Sequence, residues 1–111
     1  MDYKDLEGGK WHNAAFIVTL MRGDLIFDVT LSIDEVADGK ITGVFTSKEK
    51  WDKTPQSFPF SSNIEKTPDG KLRFGIKIWA GNYYQYVLQE DGNFIMTSPK
   101  GISGVLKKVT E

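Results

Sequence analysis

The chain has 111 residues, of which 40% are hydrophobic and 26% are charged, a composition typical of one ordinary globular domain. Fourteen basic and fifteen acidic residues give a formal net charge of −1, so the chain as a whole does not attract nucleic acid or anionic lipid. The absence of cysteine excludes disulfides, thiolate metal sites and cysteine nucleophiles.

The first nine residues, 1–9, are polar, contain Gly8-Gly9 and show no hydrophobic periodicity. We interpret them as a flexible N-terminal arm and assign residues 10–111 to a single domain. Three acidic residues within the first seven argue against a signal peptide, and the apolar runs are too short to span a membrane. We therefore expect a cytoplasmic protein without membrane contacts.

From Trp11 onward the sequence alternates between apolar and polar residues, the pattern of half-buried β-strands. The two clearest strands, 24–34 and 70–79, place the following residues in the predicted core: Leu25, Phe27, Val29, Leu31, Ile33, Phe74, Ile76 and Ile78. Six further strands are predicted at His12–Leu20, Ile41–Ser47, Gln56–Asn63, Tyr83–Gln89, Asn93–Ser98 and Ser103–Thr110.

The connections between these strands are short and rich in glycine, for example Asp38-Gly39 and Asp91-Gly92. Such loops predict that strands adjacent in sequence pair antiparallel. A meander of about eight strands leaves two edges exposed unless it closes on itself. We therefore predict an all-β fold, a small antiparallel up-and-down β-barrel, with at most one short helix near residues 47–52.

The N-terminal part of the domain resembles the first strand of the calycin barrels, which include lipocalins, fatty-acid-binding proteins and avidins. The resemblance is carried by Gly9-Lys10-Trp11 and by the apolar strand at residues 16–19. It implies that Trp11 lies at the closed end of a barrel and that a lysine of the last strand, Lys107 or Lys108, packs across the indole. An indole beneath a cation gains about 1 kcal/mol.

Within that group the chain is most similar to avidin and streptavidin, through residues 9–13, 16–19, 37–47 and 74–79. The similarity places Asn13 and Ser47 at positions that contact biotin in that family. Two departures argue against biotin binding. Phe45 replaces a tyrosine, and Trp79 comes one residue too early, which would turn its indole to the opposite face of the strand.

Candidates for catalysis or metal binding are few. His12 is the only histidine, and the sequence contains no nucleophile elbow and no Gly-rich phosphate loop. Asp24, Asp28 and Asp34 point to one side of a strand but span about 33 Å, too far for one ion. We expect a protein that is not an enzyme and that has no cofactor or metal site.

Aromatic residues concentrate between Trp79 and Tyr86. If Gly81-Asn82 forms a two-residue hairpin loop, Trp79 lies opposite Tyr84 and Lys77 lies opposite Tyr86. Both faces of the sheet would then be apolar, so one of them needs a ligand or a partner. We therefore predict a non-catalytic barrel that binds a small apolar or aromatic ligand. The predicted ligand-binding residues are Trp79, Tyr84, Tyr86, Lys77 and Arg73.

Other interpretations stay open. The same cluster is typical of an interface centre, which favours a homodimer or another protein partner. A protease-inhibitor-like barrel would act through the N-terminal arm and the Pro99-Lys100 loop. The basic patch of Lys71, Arg73 and Lys77 is small, so we do not expect nucleic-acid binding. Finally, the aromatic residues can be purely structural.

Overall fold

The computed structural model describes residues 3–21, 23–51, 54–79 and 81–109, which form a 3-10 helix and nine β-strands. The helix is Tyr3–Leu6. The strands are β1 (Lys10–Leu20), β2 (Gly23–Ala37), β3 (Lys40–Glu49), β4 (Gln56–Asn63), β5 (Glu65–Lys66), β6 (Leu72–Ile78), β7 (Asn82–Leu88), β8 (Phe94–Thr97) and β9 (Ser103–Lys108).

The strands form a nearly closed antiparallel up-and-down barrel, which confirms the predicted fold class. Their order is β4-β3-β2-β1-β9-β8-β7-β6-β5, so the chain folds as two meanders joined where β1 meets β9. The prediction of about eight strands omitted only the two-residue strand β5. Its two residues are both charged and exposed, so they carry no hydrophobic alternation that a sequence pattern can detect.

The barrel interior contains the predicted core. Six of the eight predicted core residues are buried: Val29, Leu31, Ile33, Phe74, Ile76 and Ile78. The other two, Leu25 and Phe27, are partly buried and pack against the core. They lie near the start of β2, toward the end of the barrel where Trp79 lies.

Trp11 lies at one end of the barrel, which we call the closed end. Its side chain is fully buried, and its Nε1 donates a hydrogen bond to the carbonyl oxygen of Gly92 at 2.8 Å. Lys108 pairs with Trp11 across the β1–β9 ladder, and its Nζ lies 5.5 Å from the centroid of the indole. This confirms the predicted lysine over Trp11.

Residues 3–9 lie against the closed end, whereas the sequence assigns them to a flexible arm. Leu6 is buried with only 7% of its surface exposed. The amide of Gly8 donates to the carbonyl of Ile33 at 2.8 Å, and the amide of Val36 donates to Glu7 Oε2 at 2.7 Å. A single buried leucine in a polar segment gives no periodic signal, so this docking was not visible in the sequence.

The opposite end of the barrel, where Trp79 stacks on Phe27, we call the mouth. Strands β1 and β9 pair only near the closed end, because β1 has a bulge between Asn13 and Phe16 and then diverges from β9. The ring of Phe16 lies over Gly104 and occupies the space that a side chain at that position would need. Strands β4 and β6 do not pair with each other. Ser62 Oγ on β4 bridges them by donating a hydrogen bond to the carbonyl of Gly75 on β6 at 2.6 Å.

Three hairpin loops share one geometry, and at one of them, Asp91-Gly92, it corrects the predicted register. In each loop the amide of the first residue donates a hydrogen bond to the carbonyl of the fifth residue at 2.8–2.9 Å. The loops are Thr67–Lys71, Gln89–Asn93 and Ser98–Ile102. The fourth residue is a glycine with φ between 86° and 88°. These are three-residue loops with a glycine bulge. Around Asp91-Gly92 the loop has one residue more than predicted, so Tyr86 pairs with Met96 instead of Thr97. The shift by one residue exchanges the two faces of β8 relative to β7.

The loop after β6 also differs from the predicted two-residue turn. Ile78 pairs with Asn82, so the loop spans residues 79–81. As a result Tyr84 pairs with Ile76 and Tyr86 with Phe74, and the predicted pairings of these tyrosines with Trp79 and Lys77 are wrong. By contrast, the predicted Asp38-Gly39 hairpin is confirmed, with positive φ at both residues and with Ala37 paired to Lys40.

Candidate functional site

Aromatic rings fill the barrel from the mouth to the closed end. We call the continuous run of ring contacts the aromatic column. Its successive centroid distances are Trp79 to Phe45, 5.8 Å; Phe45 to Tyr86, 5.9 Å; Tyr86 to Phe74, 5.2 Å; Phe74 to Phe94, 5.6 Å; and Phe94 to Trp11, 5.0 Å. Edge-to-face and offset contacts of this kind stabilise a core beyond their area burial.

Trp79 lies at the mouth end of this column. Its φ is 48°, a left-handed conformation that bulky residues rarely adopt. This backbone geometry turns the indole back over the barrel, where it stacks on Phe27 with a centroid distance of 4.4 Å and an interplanar angle of 25°. The prediction that the indole lies on the opposite face is wrong because Trp79 belongs to the loop and not to the strand.

The polar partner of Trp79 is Ser47, near the mouth end of β3. Indole Nε1 donates to Ser47 Oγ at 2.8 Å, and Ser47 is only 2% exposed. We call Trp79, Phe27, Phe45, Tyr84 and Ser47 the mouth cluster. Phe45 and Tyr84 meet the indole edge-on, with centroid distances of 5.8 and 5.4 Å.

Of the two residues that the avidin resemblance assigned to a ligand site, only Ser47 joins the mouth cluster. Asn13 lies at the gap between β1 and β9. There its Nδ2 donates to the carbonyl of Val105 at 2.9 Å, and its Oδ1 accepts from the amide of Ala15 at 2.8 Å. These bonds replace ladder bonds that the bulge removes, so Asn13 stabilises the barrel wall.

Tyr84 and Tyr86 point into the barrel, with 3% and 0% of their surfaces exposed. Burial raises the pKa of Tyr84, and burial together with the nearby phenol of Tyr84 raises the pKa of Tyr86 well above its usual range. Both groups are therefore protonated at neutral pH and can donate a hydrogen bond. Among the described residues the Tyr86 hydroxyl has no hydrogen-bond partner.

Arg73 and Lys77 do not lie with the tyrosines. They occupy the outer face of β6, where they pair with Val87 and Tyr83. Lys77 is exposed, and Arg73 Nε lies 3.8 Å from Glu65 Oε1. The observed register of the β6–β7 hairpin thus divides the predicted site in two. The three aromatic residues face inward or cap the mouth, and the two cations face outward.

The outer face of this sheet has an apolar feature of its own. Tyr83, 39% exposed, lies across Gly75 and fills the space that a side chain there would occupy. This explains why both faces looked apolar in the sequence. One tyrosine of the three covers a glycine on the outside, while the other two lie in the core.

Two surface depressions flank β1 and have different chemistry. One, of about 370 Å³, is lined by Ala14, Ala15, Ile26, Asp28, Lys48, Glu49 and Lys50. The other, of about 600 Å³, is lined by His12, Asn13, Ala14, Val105, Lys107, Lys108 and Val109. His12 Nε2 lies 2.7 Å from Asp28 Oδ1 at their border. Within the described part of the chain, no three His, Asp or Glu residues are grouped to hold a metal ion.

Several members of the mouth cluster were not predicted as site residues. Phe27 was assigned to the core, and Phe45 was noted only as a departure from the avidin pattern. Their roles depend on the loop that returns Trp79 to the barrel, and a sequence pattern does not specify that conformation.

Comparison of the chain with protein-family models, curated proteins and solved structures gives no match. In the described ranges, no helix combines the length and the apolar character needed to cross a bilayer.

Proposed function

We propose that the chain is a non-catalytic binding barrel whose ligand is a small, flat, apolar or aromatic molecule. Its site is the mouth cluster together with Tyr86, deeper in the aromatic column. Arg73 and Lys77, on the outer face, are not part of the proposed site.

The observation that carries the proposal is the hydroxyl of Tyr86. It is fully buried and lacks a hydrogen-bond partner within residues 3–21, 23–51, 54–79 and 81–109. Leaving a buried hydroxyl unpaired costs about 1–3 kcal/mol. A core that needed only to be stable would be better served by phenylalanine here. A ligand with a hydrogen-bond acceptor would offset this cost on binding.

The surroundings of the hydroxyl favour a flat ligand. Phe74 stacks on Tyr86 at 5.2 Å, and Phe45 meets it edge-on at 5.9 Å. Aromatic walls with a few polar groups are typical of small-molecule sites in barrels. Tyr84 and Ser47 are the other polar groups at this end of the interior, and both are buried.

The proposed relationship to calycin-type barrels draws support from the closed end. Trp11 closes the barrel, and Lys108 lies over its indole. The mouth lies at the other end of the aromatic column. A barrel with one plugged end and a loop residue over the other end is suited to admit a ligand past that loop.

The experiment is a thermal-shift screen of planar aromatic compounds that carry a hydrogen-bond acceptor. It compares the wild-type chain with Tyr86→Phe, and Tyr83→Phe on the outer face is the matched control. We expect compounds that raise the melting temperature of wild type and Tyr83→Phe but have a much smaller effect on Tyr86→Phe. The proposal fails if no compound acts, or if the effect is equal in all three proteins.

A second candidate, self-association, is favoured by exposed apolar side chains on β1 and β9. Ile17 on β1 and Val105 on β9 are 47% and 43% exposed. A second copy of the chain would cover these side chains. The homodimer and the cytoplasmic location both stay predictions from the sequence. Sedimentation of Ile17→Glu tests this candidate: a wild-type dimer that becomes a monomer supports it, and a wild-type monomer at high concentration excludes it.

A further inference from the structure

We infer that the indole of Trp79 occupies the place of the ligand itself, and that the ligand is a planar fused-ring compound with an N–H donor that displaces this indole. The inference rests on the proposed function, because it concerns the same end of the barrel. It adds the chemical class of the ligand and the event that opens the site.

The shape of the mouth cluster supports this ligand class. The Trp79 indole is stacked on Phe27 at 4.4 Å, and the rings of Phe45 and Tyr84 stand nearly perpendicular to it, at 77° and 88°. One stacking face and two edge-on walls fit a flat bicyclic ring. A ligand of the same outline would make these contacts without rearranging the strands.

The polar contact of the cluster supports the N–H donor. The Trp79 Nε1–H group donates to Ser47 Oγ, and Ser47 is 2% exposed. If the indole leaves, the Ser47 hydroxyl loses this donor. A ligand with an N–H at the same position restores the bond, whereas an isosteric hydrocarbon leaves the hydroxyl without a partner in the site.

The backbone of the loop supports displacement. Trp79 has φ 48°, which is strained for a bulky residue, and Gly81 has φ 85°, which glycine adopts without strain. The last pair of the β6–β7 ladder is Ile78 with Asn82, so the loop lies outside the ladder. Displacement of Trp79 therefore breaks no strand pair; among the bonds of the loop it releases the one that Asn82 Nδ2 donates to the carbonyl of Trp79.

The first experiment observes Trp79 directly by ¹⁹F NMR on protein labelled with 5-fluorotryptophan. The three resonances are assigned with Trp51→Phe and Trp79→Phe. The probe is indole, which has the N–H donor but no acceptor for Tyr86 and so tests the Trp79 position alone. We expect saturating indole to move the Trp79 resonance to a solvent-exposed position and to leave the Trp11 resonance unchanged. If indole raises the melting temperature while the Trp79 resonance stays in place, the inference is overturned.

The second experiment removes the internal competitor. Because the indole of Trp79 competes with the ligand, Trp79→Ala should bind indole at least tenfold more tightly than wild type does. It should also prefer indole over indene, which has the same outline but neither a donor nor an acceptor, by about fivefold. Trp79→Ala/Ser47→Ala should lose this preference. Equal affinity of wild type and Trp79→Ala, or a preference that survives without Ser47, contradicts the inference.

A further comparison covers the case in which Trp79→Ala does not fold. Wild type and Ser47→Ala are then compared with the same two probes, and the preference for indole must again depend on Ser47. The outcomes also separate the two proposals. A Tyr86-dependent ligand that leaves Trp79 in place overturns the displacement and retains the binding barrel. The absence of any Tyr86-dependent ligand overturns the binding barrel itself.

Discussion

The indole of Trp79 and the hydroxyl of Ser47 share a 2.8 Å hydrogen bond that joins two residues separated by 32 positions in the chain. The bond connects the loop after β6 to the mouth end of β3, across the opening of the barrel. Because β3 and β6 belong to different meanders, this contact ties the two together at the mouth.

Replacing Ser47 with alanine should therefore destabilise the fold by about 1 kcal/mol, the usual net contribution of one hydrogen bond. Urea unfolding of Ser47→Ala and wild type measures the difference. Ser61→Ala is the control, because Ser61 is an exposed strand residue on β4 and its substitution should change stability by less than about 0.5 kcal/mol. Equal effects of the two substitutions would show that the bond does not stabilise the fold.

The strands could be predicted from the sequence because alternation specifies which residues face inward. On β2 the buried Val29, Leu31 and Ile33 follow the period of two directly. The resemblance to calycin barrels predicted that Lys107 or Lys108 packs over Trp11, and the structure places Lys108 there.

The site could be predicted only in part, because its geometry depends on loop length. A two-residue loop and a three-residue loop at Asp91-Gly92 have the same sequence signal, yet they place Tyr86 opposite different residues. The inward turn of Trp79 requires a positive φ at a tryptophan, and no propensity rule predicts that conformation. For this reason Trp79, Tyr84 and Tyr86 were correctly predicted to lie close together. Arg73 and Lys77 were assigned to the same site, although they lie on the outer face of β6.

Stability should fall at alkaline pH because of Tyr86. Burial raises its pKa in the folded protein above the value of about 10 of an unfolded chain. The unfolded chain therefore loses the phenol proton first, and stability that is complete below about pH 10 is lost as the pH rises further. Tyr84, whose pKa is also raised, acts in the same direction.

The measurement is the free energy of unfolding in urea at pH 8 and pH 11. Tyr86→Phe should lose about 1 kcal/mol less than wild type does between these two conditions. Tyr83→Phe, with its exposed ring, should lose as much as wild type. An identical loss in Tyr86→Phe and wild type would mean that Tyr86 ionises normally in the folded state.

The N-terminal segment should contribute to stability because Leu6 is buried at the closed end. Leu6→Ala removes buried apolar surface and should cost about 2–3 kcal/mol. Met21→Ala is the matched control, since Met21 is fully exposed and its truncation should be nearly neutral. Thermal or urea unfolding measures both variants, and a neutral Leu6→Ala would restore the interpretation of residues 1–9 as a detached arm.

The proposal that Tyr86 and the mouth cluster bind a small flat molecule is tested most directly by where a bound ligand lies. Isotope-filtered NOE spectra of the labelled protein with the best compound from the thermal-shift screen locate it. We predict NOEs from ligand protons to the rings of Tyr86 and Phe45. Ligand contacts confined to Tyr83 and Lys77 on the outer face would contradict the account.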